Sequence, residues 1–273
     1  MNQDKGRNIK CFALFMRKEF PKLKKIINII IIIILFAVFI YGAFNLITIY
    51  SNYKRDDDMY KNVRTGVFTI VEANKISDDG QLSATKFPVV DFEALRAKNN
   101  ESLAWIWIPG TIISYPIMQG DNNEKYLSYT FEGYKSAAGS IFLDYMNSSD
   151  FSDRNNIIYG HNMKDSSMFG SLKKFDDADY MKENQHIYII TDQKVYLYYI
   201  FSKYIKTDEH DSYKLEFEDD NDFINYLGLL RDYSNYKAEK MQDETQRIIT
   251  LSTCVNDGTR RRILHAALVW ESE

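Results

Sequence analysis

The sequence predicts a mainly β protein: one barrel of eight short strands, with helices before it, one helix interrupting it, and a single N-terminal transmembrane helix. Three observations predict this. The 25 residues 26–50 hold no Asp, Glu, Lys or Arg. From residue 104 onward, short segments rich in Ile, Val, Tyr, Trp and Phe alternate with turn residues. Within that stretch, segment 222–233 places Phe223, Tyr226, Leu227 and Leu230 at helical spacing.

The N-terminal tail, 1–25, carries Lys5, Arg7, Lys10, Arg17, Lys18, Lys22, Lys24 and Lys25 against Asp4 and Glu19. As a helix, the run 26–50 would reach roughly 37 Å. A hydrocarbon core is about 30 Å thick. A cleaved signal peptide is the alternative, but its apolar core would be about 7–15 residues and end at a small-residue cleavage site. This run is longer, and no such site follows. The expectation is an uncleaved single-pass anchor. The tail is +6 in a chain of net charge −4, so residues 26–273 carry −10. Positive-inside bias then puts the tail in the cytoplasm and the remainder outside. An acidic exterior part argues against nucleic acid as a partner.

Residues 51–75 are polar and mixed in charge, and read as a juxtamembrane helix or stalk. Residues 76–90 read as a loop, with Gly80 and Pro88 as breakers. Together 51–90 form a juxtamembrane helix and linker, leaving 91–273 as the main exterior domain. Asp91 caps a short helix through Phe92, Leu95 and Arg96. The eight strands are 104–108, 111–117, 140–143, 156–159, 186–190, 195–202, 247–252 and 262–269. Their short length and turn-punctuated order favour one closed or nearly closed barrel over alternating β-α units. The acidic stretch 216–222 reads as a solvated loop.

Chemistry gathers at three places. Cys254 ends the segment Thr250-Leu251-Ser252-Thr253-Cys254, near the end of a predicted strand. The other cysteine, Cys11, lies before the membrane run, so the two sulfurs fall on opposite sides and cannot pair. A lone thiol outside the cytoplasm is exposed to oxidation and needs a reason to persist. It is either a small buried apolar side chain or a nucleophile, and a nucleophile needs a nearby cation or base. Of four histidines, His161 follows an apolar strand and a glycine, in Ile157-Ile158-Tyr159-Gly160-His161-Asn162. Gly160 permits a sharp turn that projects the ring from the barrel edge. His186 opens a strand, His210 lies in a charged loop, and His265 sits mid-strand as a partly buried structural residue. Finally, Arg260-Arg261-Arg262 precedes Ile263-Leu264-His265-Ala266-Ala267-Leu268. Side chains alternate faces along a strand. Leu264, Ala266 and Leu268 belong toward the core, and Arg262 shares their parity. Arg261 therefore emerges on the other face, where it could meet Cys254. A bulge would exchange its place with Arg262.

With these residues in place, the chain resembles the class B sortases, membrane-anchored cysteine transpeptidases of Gram-positive bacteria. The resemblance runs from about Phe87 to the C-terminus. It is carried by Trp105-Ile106-Trp107-Ile108-Pro109-Gly110-Thr111 with Tyr115-Pro116-Ile117-Met118-Gln119-Gly120, and by Asn123 to Leu127 with Gly139-Ser140-Ile141-Phe142-Leu143-Asp144. Tyr159-Gly160-His161-Asn162-Met163 and Thr250-Leu251-Ser252-Thr253-Cys254 with Arg261 complete it. Four motifs in this order are strong evidence, and Ser252 at the middle of the cysteine motif is typical of class B. The resemblance implies an eight-stranded β-barrel with a helix between the sixth and seventh strands, where 222–233 falls. It implies Cys254 as nucleophile, His161 as general acid/base and Arg261 as oxyanion or substrate stabiliser. It implies a sorting-signal groove lined by Asn123, Leu127, Tyr159, Tyr213 and Ser252.

The expected reaction is a two-step acyl transfer through a Cys254 thioester. It cleaves a C-terminal sorting signal, of Asn-Pro-x-Thr type by resemblance, after Thr. It then joins the protein to a peptidoglycan precursor or cross-bridge amine. No metal or other cofactor is expected. Three alternatives remain at this level. One is pilin polymerisation, with a lysine as acceptor. Another is a membrane-anchored cysteine protease, with water as acceptor; papain-like enzymes, however, carry cysteine before histidine and lack the arginine. The third is a non-enzymatic binding domain with a structural thiol.

Overall fold

The computed structural model describes residues 3–76, 82–207, 210–236, 238, 246–255 and 258–272. It comprises two compact units, 1–54 and 55–273. The first unit is helical, the leading part of α1 (Gln3–Val67). Along 26–50 its large apolar side chains stand exposed, as at Ile32 and Phe39. Such a surface suits lipid rather than water. Among the described residues α1 supplies the one candidate membrane span. Two polar side chains in the run are satisfied within the helix: Asn45 Nδ2 donates to the Tyr41 carbonyl (3.0 Å) and Thr48 Oγ1 to that of Phe44 (2.9 Å).

In the second unit the end of α1 changes character. Met59, Val63 and Val67 recur every four residues and are buried with Tyr60. The helix expected over 51–75 ends at Val67, and in place of its last residues and the expected loop, β1 (Phe68–Ile76) and β2 (Leu82–Val90) pair antiparallel. Residues 77–81, which the predicted loop included, lie outside the described residues. Pro88 misled as a breaker. In a two-stranded ribbon both strands are edges, and an edge tolerates a residue without an N–H. Aromatic packing holds the ribbon down, with Phe68 stacked on Trp105 (5.7 Å between centroids) and Phe87 edge-on to Trp270 (5.5 Å). Next comes α2 (Phe92–Lys98), whose N-terminus is capped as predicted: Asp91 Oδ1 accepts from the Ala94 N–H at 2.9 Å.

The barrel has the eight predicted strands. In chain order they are β3 (Ser102–Trp107), β4 (Ser114–Met118), β5 (Ile141–Leu143) after the short α3 (Lys125–Ser128), β6 (Asn155–Tyr159), β7 (His186–Ile190) after α4 (Ala178–Glu183), β8 (Val195–Thr207), β9 (Ile248–Cys254) and β10 (Arg260–Glu271). They close in the order β10-β8-β7-β3-β4-β5-β6-β9. β8 runs five residues past its predicted end at 202, because it stays paired with β10 as far as Thr207↔Arg260. Pairing carries polar residues into a ladder that composition alone would end. Two joins are parallel, β4–β5 and β6–β9.

The helix α5 (Asp220–Tyr233) lies between the sixth and seventh barrel strands. Asp219 caps it, accepting from the Asp222 N–H at 2.8 Å. Its buried face (Phe223, Tyr226, Leu227, Leu230) packs on Phe201, Ile248, Ile263 and Ala267. β9 and β10 are therefore buried on both faces along most of their length. His265 pays its way in this layer as a fully buried residue rather than the partly buried one expected. Its neighbours settle its tautomer. Asn155 Nδ2 donates to Tyr226 and to the Lys214 carbonyl, so Asn155 Oδ1 accepts from Thr250 Oγ1 (2.7 Å). Thr250 then has no proton for the imidazole and accepts from His265 Nδ1–H (2.9 Å), while Nε2 lies 2.8 Å from the Tyr204 hydroxyl.

Burial pushes the His265 pKa down to about 3 from its ordinary 6.5. The folded state therefore resists protonation. Its stability is complete above the unfolded value and is lost as pH falls from there toward 3. Urea unfolding is expected to show a loss of about 1.4 kcal/mol per pH unit from this residue below pH 6. The window from 6.5 to 5 lies above the carboxylate range and is shared with His186, whose pKa burial also lowers, so the variant is the discriminating measurement. His265→Gln should flatten the slope there, and an unchanged slope would contradict the assignment.

Candidate active site

The site is built by three adjacent strand ends. β6 lies parallel to β9 with Tyr159 opposite Ser252, and the ladder continues as Gly160 N–H donates to the Ser252 carbonyl (3.2 Å). His161 and Cys254 each lie two residues beyond that pair, on strands spaced by roughly 4.8 Å. On the other side of β9, β10 runs antiparallel with Arg261 opposite Cys254. The order across the sheet is thus His161, Cys254, Arg261. Cys254 shares parity with Ile248, and Arg261 with Ile263 and Ala267, which pack under α5. A 14-residue helix cannot lie inside an eight-stranded barrel, so this face is the outer wall. The three chemical side chains emerge where the cover of α5 ends.

Cys254 is a free, half-buried thiol. Arg261 Nη1 donates to its Sγ at 3.1 Å and to the Gly258 carbonyl at 3.2 Å. Arg262, on the opposite face, pairs with Asp176 at 2.5 Å. Strand parity therefore assigns the thiol-facing arginine as expected. His161 Nε2 lies 2.7 Å from the Leu127 carbonyl. A carbonyl only accepts, so Nε2 carries a proton and Nδ1 is the nitrogen left to exchange one. Gly160 does not serve as a left-handed turn. A Cβ there would meet Ile141 Cδ1 at 2.5 Å and the Phe169 ring at 2.8 Å. The glycine is needed for close packing behind the histidine.

All eight candidate residues, His161, Cys254, Arg261, Asn123, Leu127, Tyr159, Tyr213 and Ser252, line one pocket of about 340 Å³. Tyr213 reaches it from a 3-10 turn (His210–Tyr213), its hydroxyl 2.8 Å from Ser252 Oγ. Phe142, Tyr159 and Tyr213 form a row of rings along the wall, at centroid spacings of 5.3 and 6.2 Å.

Sequence reasoning missed Phe142 and Thr253 as lining residues, and Asp144 behind them. Asp144 Oδ2 accepts from both Asn123 Nδ2 (2.8 Å) and the Tyr159 hydroxyl (2.9 Å), tying two walls together. Asn123 Oδ1 accepts from the Tyr145 N–H (3.0 Å). With its oxygen and one N–H so engaged, the Asn123 amide has a second N–H to donate. The only sequence signal for Asp144 was a carboxylate directly after an apolar strand. Among the described residues no group of three or more His, Cys, Asp or Glu could hold a metal ion.

Comparison with known proteins follows this geometry. A family model described as the sortase domain matches residues 106–269. Sortase B of Listeria monocytogenes is 39% identical over 160 residues, covering 59% of this chain and 65% of that protein. Sortase B of Staphylococcus aureus is 27% identical over 256 residues, covering 91% of this chain and 98% of that protein. The crystal structure of sortase B from Bacillus anthracis superimposes with a TM-score of 0.68 at 31% identity, over 81% of this chain and 99% of that one.

Proposed function

The chain belongs to the sortase family, in its class B, and we propose that it is a membrane-anchored transpeptidase that cuts a C-terminal sorting signal after Thr and passes the acyl group to a peptidoglycan amine. The observation that carries this reading is the Arg261 guanidinium 3.1 Å from the Cys254 sulfur, in a pocket His161 also lines. A guanidinium at that distance is placed to donate hydrogen bonds to charge developing beside the sulfur.

In the first step the Cys254 thiol gives its proton to His161 Nδ1 and the sulfur attacks the Thr carbonyl carbon. The C–S bond forms, and the carbonyl oxygen takes up negative charge facing the N–H groups of Arg261. The peptide C–N bond then breaks, and the leaving amine takes a proton from His161. In the second step an amine attacks the thioester, gives its proton back to His161 and releases Cys254. The Leu127 carbonyl holds the imidazole at Nε2, so Nδ1 is the nitrogen that exchanges the proton. The aromatic row with Leu127 and Asn123 suits an extended apolar peptide with a few backbone hydrogen bonds, as in an Asn-Pro-x-Thr signal. The basic tail supports a cytoplasmic N-terminus and an extracellular catalytic unit.

The test is the full chain in detergent with a panel of sorting-signal peptides, with and without added amines, followed by mass. A thioester on Cys254 that resolves onto a glycine-type amine is expected. Cleavage indifferent to amines would make the protein a hydrolase, resolution only onto a protein lysine would make it a pilin polymerase, and no adduct with any peptide would overturn the proposal.

A further inference from the structure

We infer that Tyr60, at the end of α1, is a positioning residue for His161, so that this helix belongs to the catalytic apparatus. Tyr60 lies 101 residues from His161 in sequence and reaches it by two routes. The first is polar. The Tyr60 hydroxyl donates to the Gly139 carbonyl at 2.7 Å and lies 3.3 Å from Ser140 Oγ. Gly139 is in the left-handed region (φ +54), and its Cα is so closely packed that a Cβ would meet the Tyr126 carbonyl at 2.4 Å, the Leu127 carbonyl at 3.0 Å and His161 Cδ2 at 3.1 Å. The Leu127 carbonyl is the group that accepts from His161 Nε2. Tyr60 thus holds the loop that holds the histidine's partner.

The second route is through rings. Tyr60 packs edge-on to Tyr115 with centroids 5.4 Å apart. The Tyr115 hydroxyl accepts from the Met168 N–H at 3.2 Å. Met168 pairs with Asn162, and the Phe169 N–H donates to the His161 carbonyl at 3.0 Å. The backbone on the far side of the histidine is therefore also seated against Tyr60.

One turn earlier on the same helix face, Asp56 grips the same loop. Its carboxylate accepts from Ser136 Oγ, and Ser136 Oγ accepts from the Ala138 N–H at 3.1 Å. Asp56 and Tyr60 are 4% and 6% exposed, so neither is a surface contact. Residues four apart share one helix face, and here both carry polar groups aimed at one loop.

The inference rests on the transpeptidase reading for its functional meaning, but its test has a readout that does not. In the full chain, the rate of Cys254 alkylation by iodoacetamide is measured against pH, which reports the thiol and its imidazole neighbour without any peptide. Tyr60→Phe removes one hydroxyl. It should shift the alkylation midpoint and lower kcat for acyl transfer about tenfold with KM unchanged, as misplacement of an acid/base group does. Tyr198→Phe is the control, because that hydroxyl is buried with no hydrogen-bond partner among the described residues and is not part of the pocket lining. Should Tyr60→Phe not fold, Asp56→Asn loosens the same loop and should shift the same midpoint. A folded Tyr60→Phe with wild-type midpoint and wild-type kcat overturns the inference. A shifted midpoint in a protein that forms no thioester with any peptide keeps the positioning role and overturns the transpeptidase reading instead.

Discussion

Cys254→Ala is expected to abolish the acyl-enzyme. No covalent adduct should appear by mass with any sorting-signal peptide, and acyl transfer should fall by at least about 10⁴-fold, since the remaining groups have no nucleophile to assist. The fold should survive. Cys254 is the last residue of β9, half-buried, and its side chain faces a pocket rather than the core. Replacing a thiol by a methyl there should move the unfolding midpoint by no more than a few degrees. The result separates an enzyme from a binding module. A module that uses Cys254 structurally would keep its ligand and lose stability, whereas the enzyme loses chemistry and keeps its stability.

The second large effect is at the arginines, where adjacent residues should differ by orders of magnitude. Arg261→Ala should lower kcat by about 10²–10³, the cost of one donor to a developing oxyanion. Arg261→Lys should recover little, because a point charge cannot replace two N–H groups that reach the sulfur and the Gly258 carbonyl together. Arg262→Ala should leave kcat within a few-fold of wild type. It pairs with Asp176, itself half-exposed, on the opposite face from Cys254. Equal losses at both positions, or a loss confined to Arg262, would contradict the register Arg261↔Cys254.

Much of this was legible because it is local. The strands announced themselves through β-branched and aromatic runs, and α5 through its period. Alternation along β10 separated Arg261 from Arg262 without knowledge of any partner strand. The hairpin Phe68–Val90 was not legible. Its polar composition resembles a stalk, and what makes it a hairpin is Phe68 on Trp105 and Phe87 on Trp270. Tyr60 was silent, and Asp144 stood in a recognised segment without its role showing, since a single Asp or Tyr acquires that meaning only from the groups it meets.

By itself the sequence determined the barrel strands, the helices α2 and α5, the apolar run that suits a membrane, and which residue types carry chemistry. These follow from short-range sterics and from the periods of helix and strand. Only the tertiary structure decided who stands beside whom. The parallel pairing of β6 with β9 joins segments 93 residues apart and brings the ends bearing His161 and Cys254 together. The Leu127 carbonyl selects the imidazole tautomer, and the buried end of α1 seats the loop around it. Such contacts are chosen by closure of the barrel and burial of its faces, which no single stretch of chain can express.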